Sequence, residues 1–104
     1  MIRLSVMYQA NPGTTFDWGY YLGPHGELVE RLLKPLGLVR LEVDKGLSGF
    51  PPGAPPPYHA IGHLLFDSME SLGSAVSTAG PQVLADLPNF TNAPTTMQVS
   101  QIME

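Results

Sequence analysis

The chain of 104 residues contains no cysteine, and this absence removes several kinds of chemistry at once. Without a thiol there is no disulfide, no zinc–thiolate site, no cysteine-bound iron–sulfur cluster and no cysteine nucleophile. Charge is also scarce, at 13% of residues against a usual ~25%. So few charged side chains can hardly cover a fully wetted surface, which favours additional burial in an oligomer.

Basic residues are the scarcest of the charged types. The five lysines and arginines are scattered along the chain, and the formal net charge is −4. A nucleic-acid interface needs a cluster or stripe of such residues facing the phosphates. We therefore expect no nucleic-acid partner.

Long apolar runs are missing as well. No stretch approaches the ~20 apolar residues that span a bilayer, so no membrane association is expected. The N-terminus begins at once with strand-like alternation instead of a basic segment followed by an apolar run. These features predict one domain, residues 1–104, in the cytoplasm.

Four segments carry the patterns of β-strands, at residues 2–8, 39–44, 58–67 and 95–103. Three of them alternate between apolar and polar residues, as half-buried strands do. The segment 58–67 is instead apolar on both faces, which predicts a strand in the middle of a sheet.

Two helices lie between these strands. Asp17 is the predicted N-cap of a helix that begins at Trp18, and Gly37 ends it. Pro24 predicts a kink, or a restart with proline as the first helical residue. Asp67 or Ser68 caps a second helix to about residue 78, and residues 80–87 form a further short helical turn.

A loop at 46–57 holds five prolines and three glycines, which exclude regular structure. A loop of this length in a small domain is either functional or a stiff extended connector, and the residues fit both. The resulting element order is β-α-β-β-α-β, the ferredoxin-like pattern. It predicts a four-stranded antiparallel sheet with both helices on one face, and a second copy of the chain is the simplest cover for the other face.

One group of polar side chains suits proton transfer. Asp17, Tyr21 and His25 are spaced at i, i+4 and i+8, so a regular helix would carry all three on one face. His25 precedes the apolar stripe at Leu28 and Val29 and therefore faces the sheet. A carboxylate, a phenol and an imidazole there suit acid–base chemistry on a small carbonyl or phenolic substrate. The alternative is that each has only a structural role: Asp17 caps the helix, Tyr21 packs in the core, and His25 hydrogen-bonds a nearby carbonyl.

Four further residues are candidates for substrate binding: His63, Tyr8, Trp18 and Phe90. His63 lies in mid-strand as either a satisfied core histidine or a polar group of a pocket, and the aromatic residues form either pocket walls or core. No metal site is expected, because His59 and His63 on one strand are separated by roughly 13 Å.

The segment 16–29 fits the pattern F-D-x-x-Y-Y-x-x-x-H-x-x-L-V, and segments 43–47, 52–58, 66–68 and 86–91 add further likeness. Together they resemble the EthD family, named for a protein of ethyl tert-butyl ether degradation. The resemblance implies a dimeric α+β barrel, in which two ferredoxin-like subunits pack sheet to sheet. It also places the family's helix histidine at His25. The chain departs from the family in one respect, since Glu27 stands where a proline is usual.

Relatives of that barrel include lactone isomerases, cofactor-free monooxygenases, haem-degrading enzymes, and dehydratases or decarboxylases of polyketides. For this chain we expect a homodimer that binds a small apolar organic intermediate of a degradation or secondary-metabolite pathway between helices and sheet. His25 would act as an acid or base with Tyr21 and Asp17, without a cofactor. The alternatives are an accessory protein that binds such a molecule without catalysis, and a purely structural dimer.

Overall fold

The computed structural model describes residues 1–103 and contains one four-stranded sheet. All neighbouring strands are antiparallel, in the order β2-β3-β1-β4. This arrangement confirms the predicted ferredoxin-like α+β fold and the central position of the third strand. The strands are β1 (Ile2–Gln9), β2 (Leu38–Lys45), β3 (Tyr58–Phe66) and β4 (Thr95–Gln101).

The first helical segment is continuous through its proline. It consists of α1 (Trp18–Tyr20), a π-helical turn (Tyr21–His25) and α2 (Gly26–Leu33), followed by a 3-10 turn. Asp17 caps its start as predicted, and Gly37 ends it with a φ of 108°. The predicted restart at Pro24 is wrong, because the π turn absorbs the proline and the Gly26 N–H reaches back to the Tyr21 carbonyl.

The second helix, α3 (Met69–Ala85), is capped by the Ser68 side chain and also runs through its proline, Pro81. The expectation of an end near residue 78 and a separate turn at 80–87 is therefore wrong. Proline removes one hydrogen bond of the ladder, whereas buried Ala75 and Ala79 before that point and partly buried Val83 after it hold the helix to the sheet. A 3-10 turn (Leu87–Asn89) follows.

The core lies between the helices and one face of the sheet. Alternate residues of β1 face the helices, from Ile2 through Tyr8, and the paired residues of β3 do the same. The opposite face of the sheet, which no helix of this chain covers, carries Ser5, Ile61 and His63. Homodimer formation over that face remains a prediction.

Candidate functional site

A cavity of about 100 Å³ lies between the helices and the sheet. All four strands, α2, the π turn, α3 and the 3-10 turn after α3 contribute to its wall. Almost all of the surface is hydrocarbon, as is usual in sites for small organic ligands. The lining residues are Leu4, Val6, Tyr8, Tyr21, His25, Gly26, Val29, Leu33, Leu41, Val43, Gly62, Leu64, Val76, Gly80, Val83, Leu84, Leu87 and Met97.

His25 is the imidazole of this cavity, and it is held from behind by a carboxylate. Its ring is buried, with 4% of its surface exposed, and its Nδ1 lies 2.8 Å from Asp86 Oδ2. The other oxygen of Asp86 accepts hydrogen bonds from the Tyr20 hydroxyl at 2.7 Å and from Asn89 Nδ2 at 2.9 Å. Three side chains therefore converge on one carboxylate.

These contacts determine the protonation of the pair. Burial opposes ionisation of Asp86, but hydrogen bonds from Asn89, His25 and Tyr20 outweigh it and lower the pKa of that carboxyl. An ionised carboxylate only accepts hydrogen bonds, so the Nδ1 of His25 carries the hydrogen. In the neutral ring, Nε2 is then the free base, and it is the nitrogen opposite the one that Asp86 occupies.

Two phenols line the same end of the cavity as His25. Tyr8 comes from β1 and Tyr21 from the π turn, their rings are 5.5 Å apart, and 3% and 5% of their surfaces are exposed. Burial raises the pKa of Tyr21 to about 12, and burial together with the neighbouring Tyr21 raises the pKa of Tyr8. Both hydroxyls therefore stay protonated at neutral pH.

Aromatic rings fix the orientation of His25. The Tyr21 ring stacks on the imidazole at 5.7 Å, and the buried Phe90 ring lies 4.6 Å from it at 51°. Contacts of this kind add about 0.5–1.5 kcal/mol per aromatic pair beyond the area that they bury. Phe90 backs the histidine and is not among the residues that line the cavity.

Three predicted site residues are not brought together with His25. Asp17 is exposed, and its carboxylate accepts a hydrogen bond from the Tyr20 backbone N–H at 3.1 Å. Trp18 packs on Phe16 at 4.9 Å, with the Lys45 Nζ 5.3 Å from its ring, outside the cavity. The π turn breaks the regular i, i+4, i+8 spacing on which a shared face of Asp17, Tyr21 and His25 depended.

The third is His63, which lies on the opposite face of the sheet. Its position alternates with those of Gly62 and Leu64, which line the cavity. The Nδ1 of His63 is 3.1 Å from Ser5 Oγ, and its Nε2 is 2.8 Å from Asp44 Oδ2. As the one polar side chain in the middle of an apolar strand, His63 was a candidate for substrate binding or a core histidine, and the alternation of side chains along the strand places it on the face away from the cavity.

No sequence pattern assigned a role to Asp86 or Asn89. Asp86 and Asn89 lie in the segment 86–91, which was recognised only as family likeness. A carboxylate three residues before an asparagine, at the end of a helix and 61 positions from His25, has no local pattern that predicts the pair. The packing of α3 against the sheet creates it.

Metal-binding clusters and membrane-spanning helices are also absent from the described part of the chain. Within residues 1–103, no three His, Asp or Glu side chains converge in a way that could hold a metal ion. None of the helices in the same part of the chain combines the length and the apolar character that crossing a membrane requires. The proline-rich loop at 46–57 contributes no residue to the cavity lining.

Comparison with known families gives one match, to the EthD domain, over residues 13–94. The comparison with curated proteins found no match. An EthD-like protein from Ralstonia eutropha JMP134 has a similar crystal structure, with a TM-score of 0.88 and 33% sequence identity. The alignment covers 96% of this chain and 89% of that chain.

Two other crystal structures are similar in fold. An ethyl tert-butyl ether degradation (EthD) family protein from Bacillus halodurans C-125 has a TM-score of 0.76 at 22% identity, over 99% of both chains. A dimeric ferredoxin-like protein of unknown function from Thermobifida fusca YX has a TM-score of 0.60 at 11% identity. That alignment covers 97% of this chain and 90% of the other.

Proposed function

Since the chain belongs to the EthD family, we propose that it binds a small, uncharged, oxygenated organic molecule in the helix–sheet cavity and transfers protons on it through His25. The observation that carries the proposal is a single imidazole, oriented by Asp86, in a cavity lined by no charged side chain and mostly by hydrocarbon. A titratable side chain in a pocket, with its orientation fixed by a second residue, has the geometry that a general base requires.

The roles follow from the contacts. His25 is the general base and acid through Nε2, since Nδ1–H is donated to Asp86. Asp86 is a positioning residue that selects the tautomer and stabilises the imidazolium that forms, as the buried aspartate does in Ser-His-Asp triads. Tyr20 and Asn89 position Asp86 in turn, at 2.7 and 2.9 Å.

The reaction class is one that proton transfer starts without a cofactor, such as an isomerisation or dehydration of a carbonyl or phenolic compound. A decarboxylation of a protonated carboxylic acid, or an oxygenation with molecular oxygen as the oxidant, also belongs to this class. The cavity wall includes no Lys, Arg, Asp or Glu among its residues. A charged ligand would lose its hydration there without gaining a counter-charge, which costs several kcal/mol. The ligand is therefore uncharged, with an apolar body.

The second candidate is a protein that binds such a molecule without catalysis. The apolar lining supports it equally, because the hydrocarbon surface alone would hold an apolar body. The Asp86–His25 pair is the observation that favours catalysis, since binding a neutral apolar molecule does not need a fixed tautomer.

We also propose that the protein is a homodimer in which the open sheet faces pack together. Ile61 and Met7 lie partly exposed on that face of the central strands, although only polar side chains would be expected on a wetted face. The similar chain from Thermobifida fusca is itself described as dimeric.

Exchange of carbon-bound hydrogen tests the catalytic role without knowledge of the natural substrate. Acetophenone carries methyl protons next to a carbonyl, and a general base in contact with it speeds their exchange with D2O. We expect the protein to accelerate loss of the methyl signal in proton NMR, and His25→Gln to lower the rate by about 10²-fold or more. His59→Gln is the matched control, because His59 lies outside the cavity lining.

Equal exchange rates in the wild type and in His25→Gln would show that His25 is not the base. Binding of acetophenone without any accelerated exchange would favour the non-catalytic alternative. Folding of each variant is checked by circular dichroism, so that loss of exchange is not confused with loss of structure.

A further inference from the structure

Gly62, on the sheet side of the cavity, leaves room for the hydroxyl of Tyr21. Gly62 lies in the central strand β3, paired with Val6 on one side and Val43 on the other. A Cβ placed on Gly62 would be 2.8 Å from the Tyr21 hydroxyl oxygen. The Tyr21 hydroxyl therefore occupies the space that any other residue at position 62 would fill.

The hydroxyls of Tyr8 and Tyr21 are concentrated at one end of an apolar wall. Both rings are buried, they meet edge to face, and each hydroxyl perturbs the ionisation of the other, which places the two groups close together. His25 stacks on Tyr21 and lines the same cavity. Among the described residues of the lining, these three carry the only polar side-chain groups.

We propose that Tyr8 and Tyr21, in a space that Gly62 keeps open, form a subsite for the carbonyl oxygen of the ligand. This inference rests on the proposed function and narrows its substrate class to a neutral ketone, ester or lactone, or the enol of one. Neutral phenols donate hydrogen bonds, and a carbonyl oxygen next to them is an acceptor with two lone pairs. A hydrocarbon would leave the remaining hydrogen-bonding capacity of the two hydroxyls unused in a largely apolar cavity.

The subsite also accounts for the proton transfer as a balanced step. His25 Nε2 takes a proton from the carbon next to the carbonyl, the C–H electron pair becomes a C=C bond, and the carbonyl π pair moves to oxygen. The products are an enolate and an imidazolium, with the enolate oxygen held by the two phenols. Donors placed where charge develops are usually the largest contribution to such catalysis. Return of the proton from Nε2 to a different carbon of a conjugated enolate completes an isomerisation without oxidant or reductant.

Two probes that differ only in the acceptor test the subsite by binding alone. Acetophenone has a C=O group where α-methylstyrene has C=CH2, and the two molecules have nearly the same shape. We expect acetophenone to bind more tightly by calorimetry or NMR titration. Tyr21→Phe and Tyr8→Phe should each weaken the binding of acetophenone by about 2- to 10-fold and leave the affinity for α-methylstyrene nearly unchanged.

Gly62→Ala should act like Tyr21→Phe, because the added methyl displaces the hydroxyl, and it should reduce the preference for acetophenone. Tyr58→Phe is the matched control, since Tyr58 does not line the cavity, and it should change neither affinity. Thermal melts verify that each variant folds.

The outcomes separate this inference from the proposed function. Equal binding of the two probes, with no effect of either tyrosine substitution, would overturn the carbonyl subsite and leave a ligand cavity beside His25. Failure of both probes to bind the wild-type protein would overturn the cavity as a ligand site, and with it the subsite.

Discussion

Replacement of Asp86 by asparagine should reverse the tautomer of His25. In the wild type, the ionised carboxylate accepts the hydrogen of Nδ1 at 2.8 Å. The amide of asparagine carries one oxygen and one NH2 group. Because Tyr20 and Asn89 both donate to the Oδ1 position, the amide oxygen stays there and the NH2 group faces His25. A donor now faces Nδ1, which must become an acceptor, and Nε2 then carries the hydrogen.

The size of the effect follows from the kind of hydrogen bond that is lost. A hydrogen bond to a charged group contributes about 1.5–3 kcal/mol, which corresponds to a preference of roughly 10- to 150-fold for the Nδ1–H tautomer. An imidazole that carries its hydrogen on Nε2 cannot accept a proton at that nitrogen. Because the tautomer preference sets the fraction of rings that can act as the base, the exchange of acetophenone should fall by roughly 10- to 150-fold in Asp86→Asn.

Nitrogen NMR of histidine-labelled protein measures the tautomer directly. The chain has only three histidines, so His25→Gln identifies the signals of residue 25. We expect a protonated Nδ1 and an unprotonated Nε2 in the neutral wild type, and the reverse in Asp86→Asn. A wild-type ring protonated at Nε2, or a tautomer that Asp86→Asn leaves unchanged, would refute the reasoning. Asp44→Asn is the control, since Asp44 bonds His63 instead.

Three other predictions concern stability and assembly. Because the pKa of Asp86 is lowered in the folded protein, its stabilising contribution is present above the unfolded pKa near 4 and is lost as pH falls further. In urea titrations, the free energy of unfolding should therefore fall less at acid pH in Asp86→Asn than in the wild type, and an equal fall would contradict the hydrogen-bond network. Because burial raises the pKa of Tyr21 to about 12, stability should fall as pH rises from about 10 to 12, and Tyr21→Phe should reduce that loss; an unchanged alkaline profile would count against a buried phenol. Light scattering should give twice the 11.2 kDa of one chain, and Ile61→Glu on the open sheet face should yield monomers whereas Leu22→Glu on the exposed helix surface should not; a monomeric wild type would disprove the homodimer.

The fold followed from local patterns because each strand carries its own alternation. Leu4 and Val6 face the helices, and the doubly apolar third strand lies in the centre of the sheet as predicted. The helix boundaries predicted from the prolines were wrong. Pro24 and Pro81 both lie inside helical segments, because burial on either side outweighs one lost hydrogen bond.

Only part of the site could be predicted from the sequence. The spacing and the family motif both pointed to His25, and helical spacing placed Tyr21 near it. The partner carboxylate could not be predicted, because Asp86 reaches His25 only through the tertiary packing of α3. His63 is the opposite case. It was a candidate because it is a polar residue in an apolar strand, but the two-residue period of the strand places it on the sheet face away from the cavity.

A crystal structure of the protein with acetophenone most directly tests whether the cavity is a reaction site. The geometry predicts the ligand inside the helix–sheet cavity, with its oxygen within hydrogen-bonding distance of the Tyr21 hydroxyl and its methyl carbon about 3–3.5 Å from His25 Nε2. A ligand bound elsewhere on the protein, or a His25 whose Nε2 faces away from the bound molecule, would contradict it.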